Sequence, residues 1–308
     1  MVRGRGCRRW DTRDGTRTTV ASGTSSDMAL NWSAASDKLA FQVPQYVQVY
    51  DVGTKATVQA QASVPTGDSL WFSTDASRLA YRATTNGSSS NTAIYLMTTA
   101  TGATTSLGAG TFGPFSPDGA LFPIFVPVVG GKPVLHFRTV ATGADATIAA
   151  NAQAPGVVWS DDGKQAAFTT NDGSTSAPYT LQLWTSAADA ARPLTAGAAG
   201  VVQGNVAFLA GGTRLVYLAY AAPGGTPKST VDLFLMDLAS TTTVRLGADL
   251  VGQTNPNMVA YLTADGKCAA FTASYDSARS IANVMSFPLI GGDSLPAGGT
   301  VLDYAANY

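Results

Sequence analysis

The sequence has a single histidine, His136, and two cysteines, Cys7 and Cys268, in 308 residues. A nucleophilic triad or dyad that uses imidazole as its proton shuttle has one side chain to draw on, and a metal centre built on several histidines has none to spare. Charge is scarce as well: Asp, Glu, Lys and Arg make up 13% of the chain, against a usual ~25%. Nineteen basic and 20 acidic residues leave a net charge of −1, so nothing draws the chain as a whole to nucleic acid or to an anionic membrane. No apolar run reaches the ~20 residues that cross a bilayer as a helix, and helical periodicity of useful length is missing. What the chain has instead is 32 Gly, 15 Pro and 45% hydrophobic residues, the composition of a loop-rich, all-β protein.

Charge is uneven at the start. Arg3, Arg5, Arg8, Arg9, Arg13 and Arg17 face only Asp11 and Asp14. Without interleaved aromatics or helical spacing this reads as a solvated or strand-forming end rather than a nucleic-acid or membrane arm. No apolar stretch follows these arginines, so the sequence as it stands carries no secretory signal. Cys7 and Cys268 read as two half-buried free thiols; a disulfide between them requires their Cα atoms to come within ~7 Å. A surface rich in Ser, Thr, Gly and Ala and poor in Lys suits an exported protein, and a periplasmic or extracellular location is expected.

A phrase recurs along the chain: an aromatic residue, a small one, a turn with Asp or Gly, then an alternating apolar run ending in an aromatic. It occurs at Trp32-Ser33 to Phe41, Phe72-Ser73 to Tyr81, and Phe115-Ser116-Pro117-Asp118-Gly119 to Phe125. It returns at Trp159-Ser160-Asp161-Asp162-Gly163 to Phe168, Phe208-Leu209-Ala210-Gly211-Gly212 to Tyr217, and Tyr261 to Phe271. In the first copy the Asp at Ser36-Asp37 looks displaced by an inserted residue, and the fifth copy has lost its Asp. Each copy continues into an apolar hairpin, as in Ile94-Tyr95-Leu96-Met97 turning at Thr101-Gly102 into Thr104 to Leu107, and Leu233 to Asp237 turning near Ser240-Thr241 into Thr243 to Leu246. Four short strands per unit, with turn residues at each joint, describe a propeller blade. Strands this short cannot cover both faces alone, so blades must stack on one another.

The phrases Trp159 to Lys164, Phe115 to Gly119 and Leu233 to Leu238 resemble the repeat of TolB-type β-propellers, which also forms the propeller domain of prolyl oligopeptidase-like enzymes. The resemblance covers residues 7 to 300 and implies an all-β propeller of four-stranded antiparallel blades. The repeat with Gly-His and Trp-Asp dipeptides fits poorly, since His136 stands alone and Trp10-Asp11 is the one such pair. Blades are expected to start near 29, 69, 111, 156, 205 and 257 within a single domain, 1–308. Trp10 to Val20 aligns with the hairpin at Met97 to Leu107, a second half-blade without a first, and Val301 to Tyr304 stands where the next opening strand is expected. Seven blades, one of them composite and closed by the two chain ends, is the expectation; a six-bladed ring or a piece of a longer propeller is the alternative.

No catalytic residue is assigned. His136 lies between Leu135 and Phe137 in a strand pattern, as a packed or edge histidine does, and no Gly-x-Ser-x-Gly elbow occurs. Gly108-Ala109-Gly110-Thr111-Phe112-Gly113 matches a dinucleotide fingerprint letter for letter, but it joins two strands rather than opening a helix. Asp161-Asp162-Gly163, Asp118-Gly119 and Asn171-Asp172-Gly173 suggest calcium ligands, yet Asp-Gly at hairpin positions is already explained by turn geometry. Asn31-Trp32-Ser33 and Asn86-Gly87-Ser88 match a glycosylation sequon. No cofactor or metal is expected, and the binding residues are left open. The longest insertions, Asn86 to Asn91, Asn171 to Pro178 and Ala221 to Thr230, suit adaptable surface loops on one face. The expected function is a monomeric, non-enzymatic scaffold that presents those loops to a protein or glycan. The alternative is a propeller hydrolase or lyase working through carboxylates, or the propeller part of a peptidase.

Overall fold

A computed structural model of the chain describes residues 7–10, 17–21, 29–43, 46–60, 70–84, 92–154, 156–171, 179–194, 201–209, 211–219, 231–250, 260–262, 268–276, 281–288 and 300–305, of which 7–21, 201–205, 231 and 246–305 are described by backbone alone. Among these residues every regular element is a strand. A hairpin pairs β1 (Cys7–Trp10) with β2 (Arg17–Ala21), Trp10 facing Arg17. Then come six antiparallel meanders of four strands, each in chain order.

The first holds β3 (Leu30–Trp32), β4 (Lys38–Val43), β5 (Tyr46–Asp51) and β6 (Thr57–Gln59). The second holds β7 (Trp71–Phe72), β8 (Arg78–Thr84), β9 (Thr92–Thr98) and β10 (Thr104–Gly108), and the third β11 (Thr111–Phe112), β12 (Leu121–Val126), β13 (Val134–Thr139) and β14 (Asp145–Ala149). The fourth is β15 (Val158–Trp159), β16 (Gln165–Thr170), β17 (Thr180–Thr185) and β18 (Ala190–Pro193). The fifth is β19 (Val201–Phe208), β20 (Arg214–Ala219), β21 (Val231–Asp237) and β22 (Thr243–Leu250), and the sixth β23 (Ala260–Leu262), β24 (Cys268–Asp276), β25 (Ile281–Pro288) and β26 (Thr300–Ala305). This is a β-propeller-like fold of four-stranded antiparallel blades. One strand departs from the sequence reading. Residues 301 to 304 do not open a further blade: β26 pairs with β25, Val301 facing Met285, as the outer strand of the sixth sheet.

The joints within the blades are two turns used repeatedly. In the first, a buried serine hydroxyl closes the loop between the first and second strands. Ser160 Oγ donates to Asp162 Oδ1 at 2.7 Å and accepts the Gln165 N–H at 2.9 Å. Ser73 with Asp75 and Arg78, and Ser116 with Asp118 and Leu121, repeat it. The first sheet corrects the inserted-residue reading: Lys38 N–H still reaches Ser33 Oγ, five positions on as elsewhere, so the turn has its normal length. Its aspartate has moved two places along, and Asp37 meets the same hydroxyl from the far side at 2.6 Å. The fourth turn position is left-handed throughout, at Ser36, Ala76, Gly119, Gly163 and Gly212. The second turn, between third and fourth strands, takes its positive φ at Lys55, Gly102, Gly143, Asp189 and Thr241, a type I turn running into a bulge.

The chain forms two compact units, Met1–Pro127 with Phe137–Asp145, and Val128–His136 with Ala146–Tyr308. Within the first unit, Val47, Val49 and Ala60 of the first sheet pack against Leu70, Leu79 and Tyr81 of the second. Ala80 and Ile94 then pack against Phe112, Phe115 and Phe122. In the second unit Ala167, Leu181, Leu183 and Leu194 of the fourth sheet meet Phe208, Leu215, Tyr217, Phe234, Met236 and Leu238 of the fifth. Period-two strands place alternate residues on opposite faces, so the second sheet contributes Leu79 and Tyr81 to one layer and Ala80 and Ile94 to the next.

Candidate functional site

The residues that sequence reading weighed for chemistry have structural partners. His136 is half-buried on β13, and its Nδ1 stands 3.4 Å from Thr147 Oγ1. The glycine run from 108 to 113 connects β10 to β11, and a side chain at Gly110 would meet the Phe125 carbonyl at 2.6 Å. It is a tight strand connection, with no helix N-terminus to receive a phosphate. Asp118 and Asp162 each accept through Oδ1 from the turn serine, Ser116 or Ser160, and from a nearby N–H, that of Ala120 or Lys164. Asn31 Nδ2 donates to the Leu70 carbonyl, and the sequon at Asn86 lies outside the described residues. Asn171 is buried and its N–H donates to the Asn151 carbonyl, whereas 172–178, 86–91 and 221–230 lie outside the described residues, as do the side chains of both cysteines. Among the described residues no three His, Cys, Asp or Glu side chains cluster as metal ligands do, and no helix is long and apolar enough to cross a membrane.

The turn carboxylates are held low by the bonds that build the turns. For Asp37 and Asp75 the serine hydroxyl is the largest cause. For Asp162 it is the Lys164 N–H, followed by Ser160. Thr54 and Ser240 N–H groups act likewise on Asp51 and Asp237. Burial pushes the Tyr81 and Tyr217 phenols up, and each ring is stacked, on Tyr95 and Phe234 respectively. Groups so placed keep one charge state through the neutral range, which is the behaviour of structural groups and not of acid–base catalysts.

An open groove of about 450 Å³ is the feature that the repeat does not account for. It runs between the fourth and fifth sheets at their turn end, inside the second unit. Leu183 and Leu238, with Ala187 and Ala239, give it apolar walls. Gln165, Thr185 and Ser186 add neutral polar groups, and the Gly212-Thr213 turn forms the opposite rim. Gln165 Nε2 donates to the Gly212 carbonyl at 3.0 Å and ties the two sheets at the groove's end. Lys164 and Arg192 are its two cations, both exposed, and the lining holds no carboxylate.

The positions of those cations follow from register. Arg192 stands opposite Leu183 across β17 and β18 and therefore on the face that looks toward the fifth sheet. The corresponding outer-strand residues are Val58 opposite Val49, Thr105 opposite Leu96 and Val244 opposite Leu235. Lys164 precedes its second strand where four other blades have Asp37, Ser77, Ala120 and Thr213 and the sixth has Lys267 before β24. Arg192 thus departs from its counterparts in the first, second and fifth sheets, whereas Lys164 follows the Asp-Gly-Lys form that Asp265-Gly266-Lys267 shares, and the fold brings the two cations to one groove. Sequence reading passed over Arg192 and used Lys164 only as part of the recurring phrase. The signal was there in the self-comparison, as one off-pattern charge, Arg192, in a charge-poor chain.

No protein-family model matches the sequence, and no curated protein matches it significantly. Solved structures do resemble it, and they place it among β-propellers. Dipeptidyl peptidase 4 from Porphyromonas gingivalis matches with a TM-score of 0.64 at 11% identity, covering 92% of this chain and 46% of that one. A structure of prolyl endopeptidases gives 0.62 at 12%, covering 94% and 44%. TolB from Agrobacterium tumefaciens aligns over 82% of this chain and 96% of its own at 16% identity, with a TM-score of 0.45. The chain spans just under half the length of the two peptidase structures, and at these identities the likeness concerns the fold.

Proposed function

We propose that the chain is a non-enzymatic, TolB-like binding scaffold: a single propeller domain over 1–308 that offers an inter-blade groove, or the loops between its second and third strands, to another macromolecule. The observation that carries this reading is the groove between the fourth and fifth sheets, apolar along its walls and positive at Lys164 and Arg192, the latter at a position that the first, second and fifth sheets fill with Val58, Thr105 and Val244. Stacked four-stranded sheets hold such a surface still, which spares a partner the cost of ordering it. Six full blades with the β1–β2 hairpin as half of a seventh, a monomeric state and an exported location complete the proposal, the last on the strength of the charge-poor, Ser- and Thr-rich composition. A second reading, the propeller part of a peptidase-like protein, draws on the peptidase structures of similar fold.

The test is capture from envelope and soluble extracts of the source organism with the purified chain as bait, beside two control baits. One has residues 171–178 replaced by a Gly-Ser linker and the other carries Arg192→Glu. A partner held by the native chain and lost with either control is the expected result. Empty capture with all three baits, or turnover in a screen of peptidase, glycosidase and lyase substrates, overturns the scaffold reading.

A further inference from the structure

Resting on that scaffold reading, we infer that the groove between the fourth and fifth sheets takes an extended peptide segment in which a carboxylate side chain lies next to a branched apolar one. Arg192 and Lys164 receive the carboxylate, and the Leu183, Ala187, Leu238 and Ala239 walls receive the apolar neighbour.

Three features choose this occupant. The first is charge: two cations line the groove and no carboxylate does. In a chain with 13% charged residues, six of its arginines within the first 17 positions, cations are thinly spread over the rest; Arg192 sets the sign of the group the groove prefers, and Lys164, whose charge also acts on Asp162, adds to it. An arginine presents a planar fork of donors that matches a carboxylate, while the lysine adds a point charge. The second feature is the absence of an aromatic side chain in the lining. Sugar rings are held by stacking on aromatic faces, and this groove has none, so a glycan finds charge there but no platform. The third is shape. The groove follows the seam between two sheets, and Thr185, Ser186 and Thr213 give it an edge of hydroxyl-bearing side chains for a main chain laid along it.

The experiment uses a phage-displayed library of random heptapeptides, selected on the immobilised full-length chain and counter-selected on its Arg192→Glu form. Selected sequences are synthesised with a fluorophore and measured by fluorescence polarisation, together with versions whose acid is replaced by its amide. The expected outcome is a shared acidic residue flanked by Leu, Ile or Val. Affinity should fall at least tenfold with Arg192→Glu, about threefold with Lys164→Ala, and at least tenfold with the amide peptide. Leu238→Gln should weaken binding without changing its salt dependence. Circular dichroism and thermal unfolding of each variant check that it stays folded; both cations are exposed, so they should leave the fold unchanged. Peptides with no acidic preference, peptides insensitive to Arg192→Glu, or binding only of uronic-acid oligosaccharides would each overturn the inference. If extract capture succeeds and is lost with the loop replacement yet is indifferent to Arg192→Glu, the scaffold stands and this occupant falls; empty capture removes both.

Discussion

The second sheet meets the third, and the fourth meets the fifth, through the same parts with different endings. In both places a Ser-anchored turn of one blade touches the matching turn of the next. Thr74 Oγ1 donates to the Ser116 carbonyl at 3.2 Å in one, and the Gly211 N–H approaches Asp161 Oδ2 at 3.4 Å in the other. Phe112, Phe115 and Phe122 fill the earlier junction, with Phe115 and Phe122 ring centroids 4.6 Å apart. After β9 comes Thr99, buried and donating to the Ala76 carbonyl at 2.7 Å. In the later junction the equivalent residue is Ser186, exposed at the groove, and aliphatic side chains line the gap. The blade framework is thus repeated, and what distinguishes one junction is carried by a few side chains that the framework does not need.

The largest effect should come from the turn glycines that share a backbone conformation but not a neighbour. Gly212 has φ +66° and a Cβ there would stand 3.1 Å from the Ser160 Cβ, whereas Gly119 has φ +70° with Thr74 Cβ at 4.0 Å. A β-branched residue at such a φ is strained in both places, and only the first must also push a neighbour aside. Gly212→Val should cost about 3 to 4 kcal/mol and Gly119→Val about 2. Denaturant unfolding measures both; equal losses would mean that the junctions are packed alike at their turns.

Next come the serine anchors. Ser116 and Ser160 are fully buried. Replacing either by Ala leaves the N–H of Leu121 or Gln165 without its side-chain acceptor and the aspartate without its hydroxyl donor, keeping the Ala120 or Lys164 N–H, a loss of about 1 to 3 kcal/mol. The fifth sheet bounds this figure, because there Leu209 stands in the serine's place and the turn closes on the backbone bond to the Arg214 carbonyl at 2.9 Å. Acid sharpens the comparison. Asp162 is depressed in the folded state, so its contribution is complete above its unfolded pKa of about 4 and fades as pH falls through the lower folded value. The gap in melting temperature between the native chain and Ser160→Ala should therefore narrow from pH 7 to pH 2.5, and a constant gap would show that the hydroxyl acts without the carboxylate.

Much of this architecture is legible in the sequence, and the reason is locality. A turn that needs Ser at one place, positive φ three residues on and an apolar alternation after it writes its requirements within ten residues, so Phe115 to Phe125 and Trp159 to Phe168 announce themselves. Hairpins such as β9–β10 fell where the Thr101-Gly102 turn put them. Pairing between distant strands leaves no such mark: residues 301 to 304 read as a strand, but nothing local says that β25 is the edge they join. The groove is less legible still. Lys164 lies in a turn and Arg192 on the outer strand of one blade, Gly212 and Leu238 on the next, and their meeting depends on register and stacking together. In the first turn the error was of another kind, since Asp37 moved within a loop of fixed length and imitated an insertion.

The smallest expected effect on stability is the most informative about function. Arg192→Thr gives the fourth blade the residue that the second carries at Thr105, and removes an exposed side chain whose Nη2 bond to the Leu238 carbonyl is long, at 3.4 Å. Exposed substitutions of this sort change stability by less than about 0.5 kcal/mol, so the melting temperature should stay within about 2 °C of the native value. Binding of an acidic peptide should nevertheless fall by an order of magnitude. A comparable loss of stability would make Arg192 a strut between the sheets and remove the reason to read it as a recognition residue. Stability retained and binding lost would locate the difference between the two junctions in side chains that the fold can do without.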